Sequence, residues 1–230
     1  MRAEIQYLHH SGFTVKTQNY FLVFDYDGIP PQFAPFPAEY RTAVFASHRH
    51  SDHYVPGILA WKEKNPAIQV ILSYDIPSKA GCFSIRPDET LWLDGVTVKA
   101  LDSTDEGVAF LVEADGLTIY HAGDLNWWHW NGESDFYNAE MALNYRREIE
   151  KLAGIKIDLA FVPLDPRLED AYLYGMDFFA RTTQAEMIFP MHMWGDHSVI
   201  GRLKSDPRAA EYAASVVKIT APGQTFTFSR

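Results

Sequence analysis

The run Ser47-His48-Arg49-His50-Ser51-Asp52-His53 decides how the rest of the chain is read. It spells H-x-H-x-D-H. The five residues before it, Thr42-Ala43-Val44-Phe45-Ala46, form an apolar, partly β-branched stretch with the character of a buried strand. Tyr54 to Trp61 follows and can open a helix, with Pro56 tolerated in its first turn. Three histidines and an aspartate therefore sit on a loop at a strand end. Imidazole nitrogen and carboxylate oxygen suit zinc and similar divalent ions. Such a loop can aim His48 and His50 at one ion while Asp52 and His53 reach a second.

Further pieces lie downstream. His121-Ala122-Gly123-Asp124 ends an apolar run, and Met187 to Met191 leads into His192. Together with the first run these segments resemble the metallo-β-lactamase superfamily of metal-dependent hydrolases. The branch they are most similar to includes the ascorbate-6-phosphate lactonases. The resemblance spans nearly the whole chain and implies one domain over residues 1–230, folded as a four-layer αββα sandwich of α/β class. It also implies that Asp124 bridges two metals, that His192 is the final histidine ligand, and that His121 orients a ligand from behind. A bridging carboxylate holds two dications together against their repulsion.

The chain departs from that pattern at one place. The superfamily supplies a third histidine to the first metal from the strand end between the His-rich loop and the bridging aspartate. Here that position falls in Leu101-Asp102-Ser103-Thr104-Asp105-Glu106-Gly107, which contains no histidine. Three outcomes are open. Asp105, or else Asp102 or Ser103, replaces it and makes a harder, more oxygen-rich site that favours manganese or magnesium. Alternatively the first site binds weakly or is completed by substrate, or the protein works with a single metal. We take one or two divalent ions, Zn2+ or Mn2+, as the expected cofactors, and Asp105 as the replacing ligand.

Composition agrees with a soluble globular protein. Hydrophobic residues make up 47% and charged residues 22% of 230 positions, enough for a substantial core. A net charge of −10 without a Lys/Arg cluster argues against a nucleic-acid partner. The single cysteine, Cys82, excludes an internal disulfide and fits a reducing compartment. The first residues lack the apolar core of a signal peptide, and no run approaches the ~18 apolar residues of a membrane span. The expectation is a cytoplasmic protein acting on a small molecule, with no membrane partner and with a homo-oligomer possible.

The remaining pattern is read in chain order. Strands are expected at Glu4 to Leu8, Phe13 to Lys16, Tyr20 to Phe24 and Ile68 to Leu72. Ile29 to Pro37 reads as an extended surface loop, and Pro77 to Gly81 as a short helix. Thr90 to Leu93, Val96 to Ala100, Val108 to Glu113 and Leu117 to Tyr120, separated by Asp/Gly turns, predict a second sheet of hairpins. Helices are expected over Asp135 to Ala153 and Asp177 to Thr183, with a strand between them at Ile157 to Val162.

Substrate contacts have several candidates. His10 is either a core histidine or a pocket residue near the metals. The Trp127-Trp128-His129-Trp130 cluster either walls a pocket, through Trp128 or His129, or anchors a surface helix. Asp165 and Arg167 flank a proline at a strand end, as substrate contacts or as a structural ion pair. The expected chemistry is hydrolysis of an ester, lactone or phosphoester by an ion-activated water, with Asp52 positioning the water and taking a proton. The rivals are a non-catalytic metal or metabolite binder that has lost turnover, and a di-iron oxidoreductase, which His50 disfavours.

Overall fold

The structure is a computed structural model that describes residues 1–29, 39–77 and 79–230. The Pro-rich loop expected at Ile29 to Pro37 lies, beyond Ile29, outside the described residues.

Two mixed sheets face each other. The first contains β1 (Arg2–Tyr7), β2 (Phe13–Lys16), β3 (Tyr20–Phe24), β4 (Arg41–Ala46), β5 (Gln69–Ser73) and β6 (Phe83–Ile85) in that spatial order. The second runs from β7 (Thr90–Leu93) through β8 (Val96–Asp102), β9 (Val108–Ala114), β10 (Leu117–His121) and β11 (Leu159–Pro163) to β12 (Met187–Met191). A last strand, β13 (Thr225–Ser229), returns to pair antiparallel with β1. In each sheet neighbours joined by short turns are antiparallel, whereas β3–β4–β5–β6 and β10–β11–β12 are parallel. Parallel neighbours need long crossovers. These include α1 (Gly57–Lys64) in the first sheet, and α2 (Asp135–Glu150) and α3 (Tyr174–Thr183) in the second.

Alternation along the strands assigns the layers. On β3 and β4, Leu22, Phe24, Ala43 and Phe45 belong to the core between the sheets, while Val23, Val44 and Ala46 pack with Ile58 and Leu59 of α1. Phe45 meets Phe110 across the sandwich at 5.4 Å, and Phe13 meets Phe161 at 4.4 Å. On the far face Tyr120 stacks on Phe179 of α3, and the Tyr145 hydroxyl of α2 donates to Gly175 at 2.8 Å. The order is helix, sheet, sheet, helix, the αββα sandwich expected. Strands buried on both faces read as continuous apolar runs, which is why β4 stands out in the sequence.

Two expectations are corrected. Among the described residues of 77–81 there is no helix; the chain turns there and enters β6. Helix α2 stops at Glu150, and the chain turns through Gly154 with φ of 78°. Beyond β12 the chain adds α4 (Ser198–Ser205) and β13, neither anticipated. No helix among the described residues is long and apolar enough to cross a membrane.

Candidate metal centre

The carboxyl ends of β1, β3, β4, β8, β10, β11 and β12 all open on one rim. They deliver, in turn, His10, Asp25, the 47–53 loop, the 102–107 turn, Asp124, Asp165 and His192. Strand ends that stop without a common partner leave a crevice, the usual place for a ligand in parallel sheets.

Four side chains form the heart of the rim. Asp124 Oδ1 lies 3.2 Å from His53 Nε2 and 3.4 Å from His192 Nε2, and Asp124 Oδ2 lies 3.5 Å from His48 Nε2. All four residues are buried. His48 Nε2, His53 Nε2 and Asp124 Oδ1 have no hydrogen-bond partner among the described residues. Leaving three buried polar atoms unpaired costs about 1–3 kcal/mol each. A divalent cation accepts all three at once.

The opposite edge of each imidazole is fixed. Asp25 accepts from the Ser47 amide at 2.8 Å, from the Ser47 hydroxyl at 2.7 Å and from His53 Nδ1 at 2.7 Å. Because the Ser47 hydrogen goes to Asp25, the Ser47 oxygen accepts from His48 Nδ1 at 2.9 Å. His192 Nδ1 donates to Asp165 Oδ2 at 3.0 Å. Each Nδ1 thus has an oxygen partner, and each Nε2 is turned inward. That is the second layer of support metal-binding histidines require. The donor set fits a divalent metal ion.

Around this heart, potential donor atoms fall into three overlapping groups, each spanning no more than 4.8 Å: His48, His53 and Asp124; His10, Asp52, His53 and His192; and His50, Asp105 and Asp124. The grouping departs in part from the pairing read from the sequence. His48 sits with His53, their rings 4.1 Å apart, and His50 faces Asp105 across the cleft. Asp105 occupies the turn that lacks the histidine. Burial and the neighbouring Asp124 charge push its carboxyl above the usual carboxylate range, so a cation beside it relieves an existing repulsion. Glu106 approaches His50 Nε2 at 3.4 Å while holding Arg49 at 2.6 Å.

Electrostatics follow from the same contacts. Burial, reinforced by the charge of His53, lowers His48 to about 4, so it is neutral and able to ligate at pH 7. The His10 contact at 3.3 Å holds Asp52 well below the usual carboxylate range, against the effect of burial. Burial opposes the charge of Asp165, but its bonds from His192 and Arg167 outweigh that and keep it ionised.

Two glycines let the backbone close on the loop. A Cβ on Gly107 would lie 1.9 Å from the Ser47 carbonyl, and one on Gly123 would lie 2.6 Å from the Ser47 Cβ. His10, Asp25 and His192 themselves adopt left-handed backbone, with φ of 46°, 43° and 61°. Such conformations are costly for non-glycine residues and gather where a site needs particular side-chain directions.

A cleft of about 230 Å³ opens over the centre, with His50, Asp52, Asp105, Asp124 and His192 on its floor and Thr104, Trp128, Trp130, Tyr137, Arg167 and Trp194 around it. Trp128 is fixed by its indole N–H, which donates to the Asp124 carbonyl at 2.9 Å. Three of the candidate residues lie outside the cleft. His121 is fully buried, donates from Nε2 to the Ser11 carbonyl at 2.9 Å and stacks on Phe24. His129 turns to Tyr174, away from the cleft lining. Asp165 is buried behind His192 and Arg167. His10 does not line the cleft either, but contacts Asp52 and stacks against His192 at 4.2 Å. Asp25, Tyr137 and Trp194 were not singled out in the sequence; a left-handed aspartate at a strand end looks like an ordinary turn.

Comparison with known proteins agrees with this fold. Residues 4–129 match the family described as a beta-lactamase superfamily domain. No curated protein matches the chain in sequence. Among solved structures, the fold is similar to Igni18, a metallo hydrolase from Ignicoccus hospitalis, with TM-score 0.65 and 17% identity over 100% of both chains. It is similar to YhfI from Bacillus subtilis, a metallo-beta-lactamase fold protein, with TM-score 0.62 and 16% identity over 99% of this chain and 100% of that one. It also resembles CmlA, a diiron beta-hydroxylase from Streptomyces venezuelae, with TM-score 0.62 and 12% identity over 98% of this chain and 54% of the other.

Proposed function

We propose that this chain, which belongs to the beta-lactamase superfamily, is a metal-dependent hydrolase acting on an ester, lactone or phosphoester of a small metabolite. The observation that carries the reading is the set of buried, unpaired donor atoms on His48, His53 and Asp124, each histidine backed by an oxygen acceptor.

His48, His53 and Asp124 would hold a first divalent ion, with His192 beside Asp124, and His50, Asp105 and Asp124 a second. When bound, such ions supply Lewis acidity that activates water and polarises the substrate oxygen. Asp52 is ionised and half-open to the cleft, and so can accept a hydrogen bond from an incoming water and orient it. His10 fixes the Asp52 carboxylate from behind. Trp128, Trp130, Tyr137 and Trp194 give the cleft an aromatic lining on which an apolar part of a substrate can rest. The oxygen donor of Asp105 tilts the second position towards Mn2+ over Zn2+. An acidic chain without a basic groove favours small substrates, and the ascorbate-6-phosphate lactonase likeness makes lactones and sugar phosphates the first to try.

Elemental analysis of protein purified without chelator, for wild type and Asp105→Ala, tests the centre. Two ions in the wild type and one in the variant are the expected result. One ion in both removes Asp105 from the centre, and none in either after reloading ends the hydrolase reading. The absence of histidine from residues 101–107 favours a second reading, a metal or metabolite binder without turnover. Full metal loading with no hydrolysis across ester, lactone and phosphoester panels would establish it.

A further inference from the structure

We propose that Arg167 anchors a second, remote oxyanion of the substrate, a carboxylate or a phosphate, in the slot between Trp130 and Trp194. The proposal rests on the hydrolase reading and narrows its substrates to anionic ones.

Placement comes first. Arg167 follows β11 by four residues and lines the same cleft as Asp124 and His192. Its orientation is fixed in advance. Nε donates to both oxygens of Asp165 at 3.0 and 2.9 Å, and Nη2 to Asp165 Oδ2 at 2.5 Å. The guanidinium carbon lies 4.5 Å from the Trp194 ring centre and 5.5 Å from that of Trp130. Nη1 has no hydrogen-bond partner among the described residues, and 45% of the side chain is exposed. An arginine held this way has lost its rotamer entropy before a ligand arrives, and its planar fork suits carboxylate and phosphate alike.

Charge supplies the second argument. The other ionic side chains lining the cleft are the carboxylates of Asp52 and Asp105 and that of Asp124. Arg167 is the one arginine or lysine among the described lining residues, on a chain of net charge −10. Asp165 is shared, because the same carboxylate also receives His192 Nδ1. An arginine that served only to neutralise Asp165 would have no need of an open edge between two indole faces.

The test compares metal-loaded wild type with Arg167→Gln on two readouts. In the first, three activated esters are hydrolysed: neutral 4-nitrophenyl acetate, the 4-nitrophenyl monoester of glutarate, and its phosphonate counterpart. The expected result is a KM raised about tenfold for one or both anionic esters, with the neutral ester within about twofold and the metal content unchanged. In the second, glutarate and inorganic phosphate are titrated against tryptophan fluorescence. Saturable binding weakened about tenfold in the variant is expected, and the anion that binds identifies the group. Anion binding that depends on Arg167 without any ester turnover keeps the anchor and removes the hydrolase reading. Ester turnover with both readouts indifferent to Arg167→Gln does the reverse. Should Arg167→Gln unfold or lose metal, Arg167→Lys keeps the charge and loses the fork. An intermediate weakening of the same anion then supports the anchor, and wild-type behaviour on every probe overturns it.

Discussion

Asp25 shows how much of the site depends on a residue that holds no candidate ion itself. It is completely buried and receives the Ser47 amide, the Ser47 hydroxyl and His53 Nδ1. Its left-handed backbone turns the carboxylate under the loop. Asp25→Asn keeps the volume but swaps an acceptor oxygen for a donor facing other donors. We expect metal affinity to fall about 10–100-fold, measured by competition with a chromogenic chelator. An unchanged affinity would show that the loop holds its shape alone. Gly107 presents the complementary case, where nothing may be added. Its φ of 72° and the 1.9 Å separation that a Cβ would make with the Ser47 carbonyl leave no room for alanine. Gly107→Ala should destabilise by about 3 kcal/mol or more in urea denaturation, because the strain and the clash fall on one rigid loop. A cost below about 1 kcal/mol would mean that the 102–107 turn can move.

At the scale of elements, legibility followed locality. The 47–53 loop was readable because its donors are contiguous and its strand is apolar throughout. Hairpin strands β7 to β10 were readable from Asp/Gly turns. Strand β13 was not, because it pairs with β1 from the other end of the chain, and no local pattern announces such a partner. Asp165 was noticed for its charge, yet its work is to join His192 to Arg167, a relation that exists only once β11 and β12 lie side by side. The indoles of Trp130 and Trp194 are brought to one arginine in the same way. Turns also tie the sheets together away from the rim. Asp115, in the β9–β10 turn, accepts from Thr17 Oγ1 at 2.6 Å and from the Asn19 amide and side chain at 2.7 Å each. Burial works against its charge, but those bonds hold its carboxyl below the usual range. A lowered folded value means the contribution is complete above the unfolded value of about 4 and is lost as pH falls through the folded one. Asp115→Asn should therefore cost about 1 kcal/mol at pH 7, with the gap from wild type closing in acid unfolding below about pH 4. A gap that stayed constant with pH would assign the contact to shape alone.

For the molecule as a whole, the rim gathers its donors from residues 48 to 192, so a bound ion would tie segments that are far apart in the chain. An ion present at 100 times its Kd adds about 2.7 kcal/mol to the folded state, which for a chain of this length is about 5–10 °C in Tm. Chelator treatment should lower Tm by that amount, and re-addition of Mn2+ or Zn2+ should restore it. A Tm indifferent to chelation would mean the rim is stable without an ion. The sandwich explains why this tie is useful. The two sheets cohere through their aromatic core, Phe45 on Phe110 and Phe13 on Phe161, whereas the rim concentrates buried polar atoms without a hydrogen-bond partner among the described residues.

Asp165 has one further consequence. A single carboxylate shared by His192 and Arg167 makes the two neighbours compete for the same negative charge. Whatever draws the arginine outward leaves more of that charge on the imidazole and makes its inner nitrogen a stronger electron-pair donor. Whatever draws on the imidazole loosens the arginine in turn. Linkage requires these influences to be equal in free energy. Any influence that passes between the two neighbours through this one buried side chain is therefore felt equally in both directions.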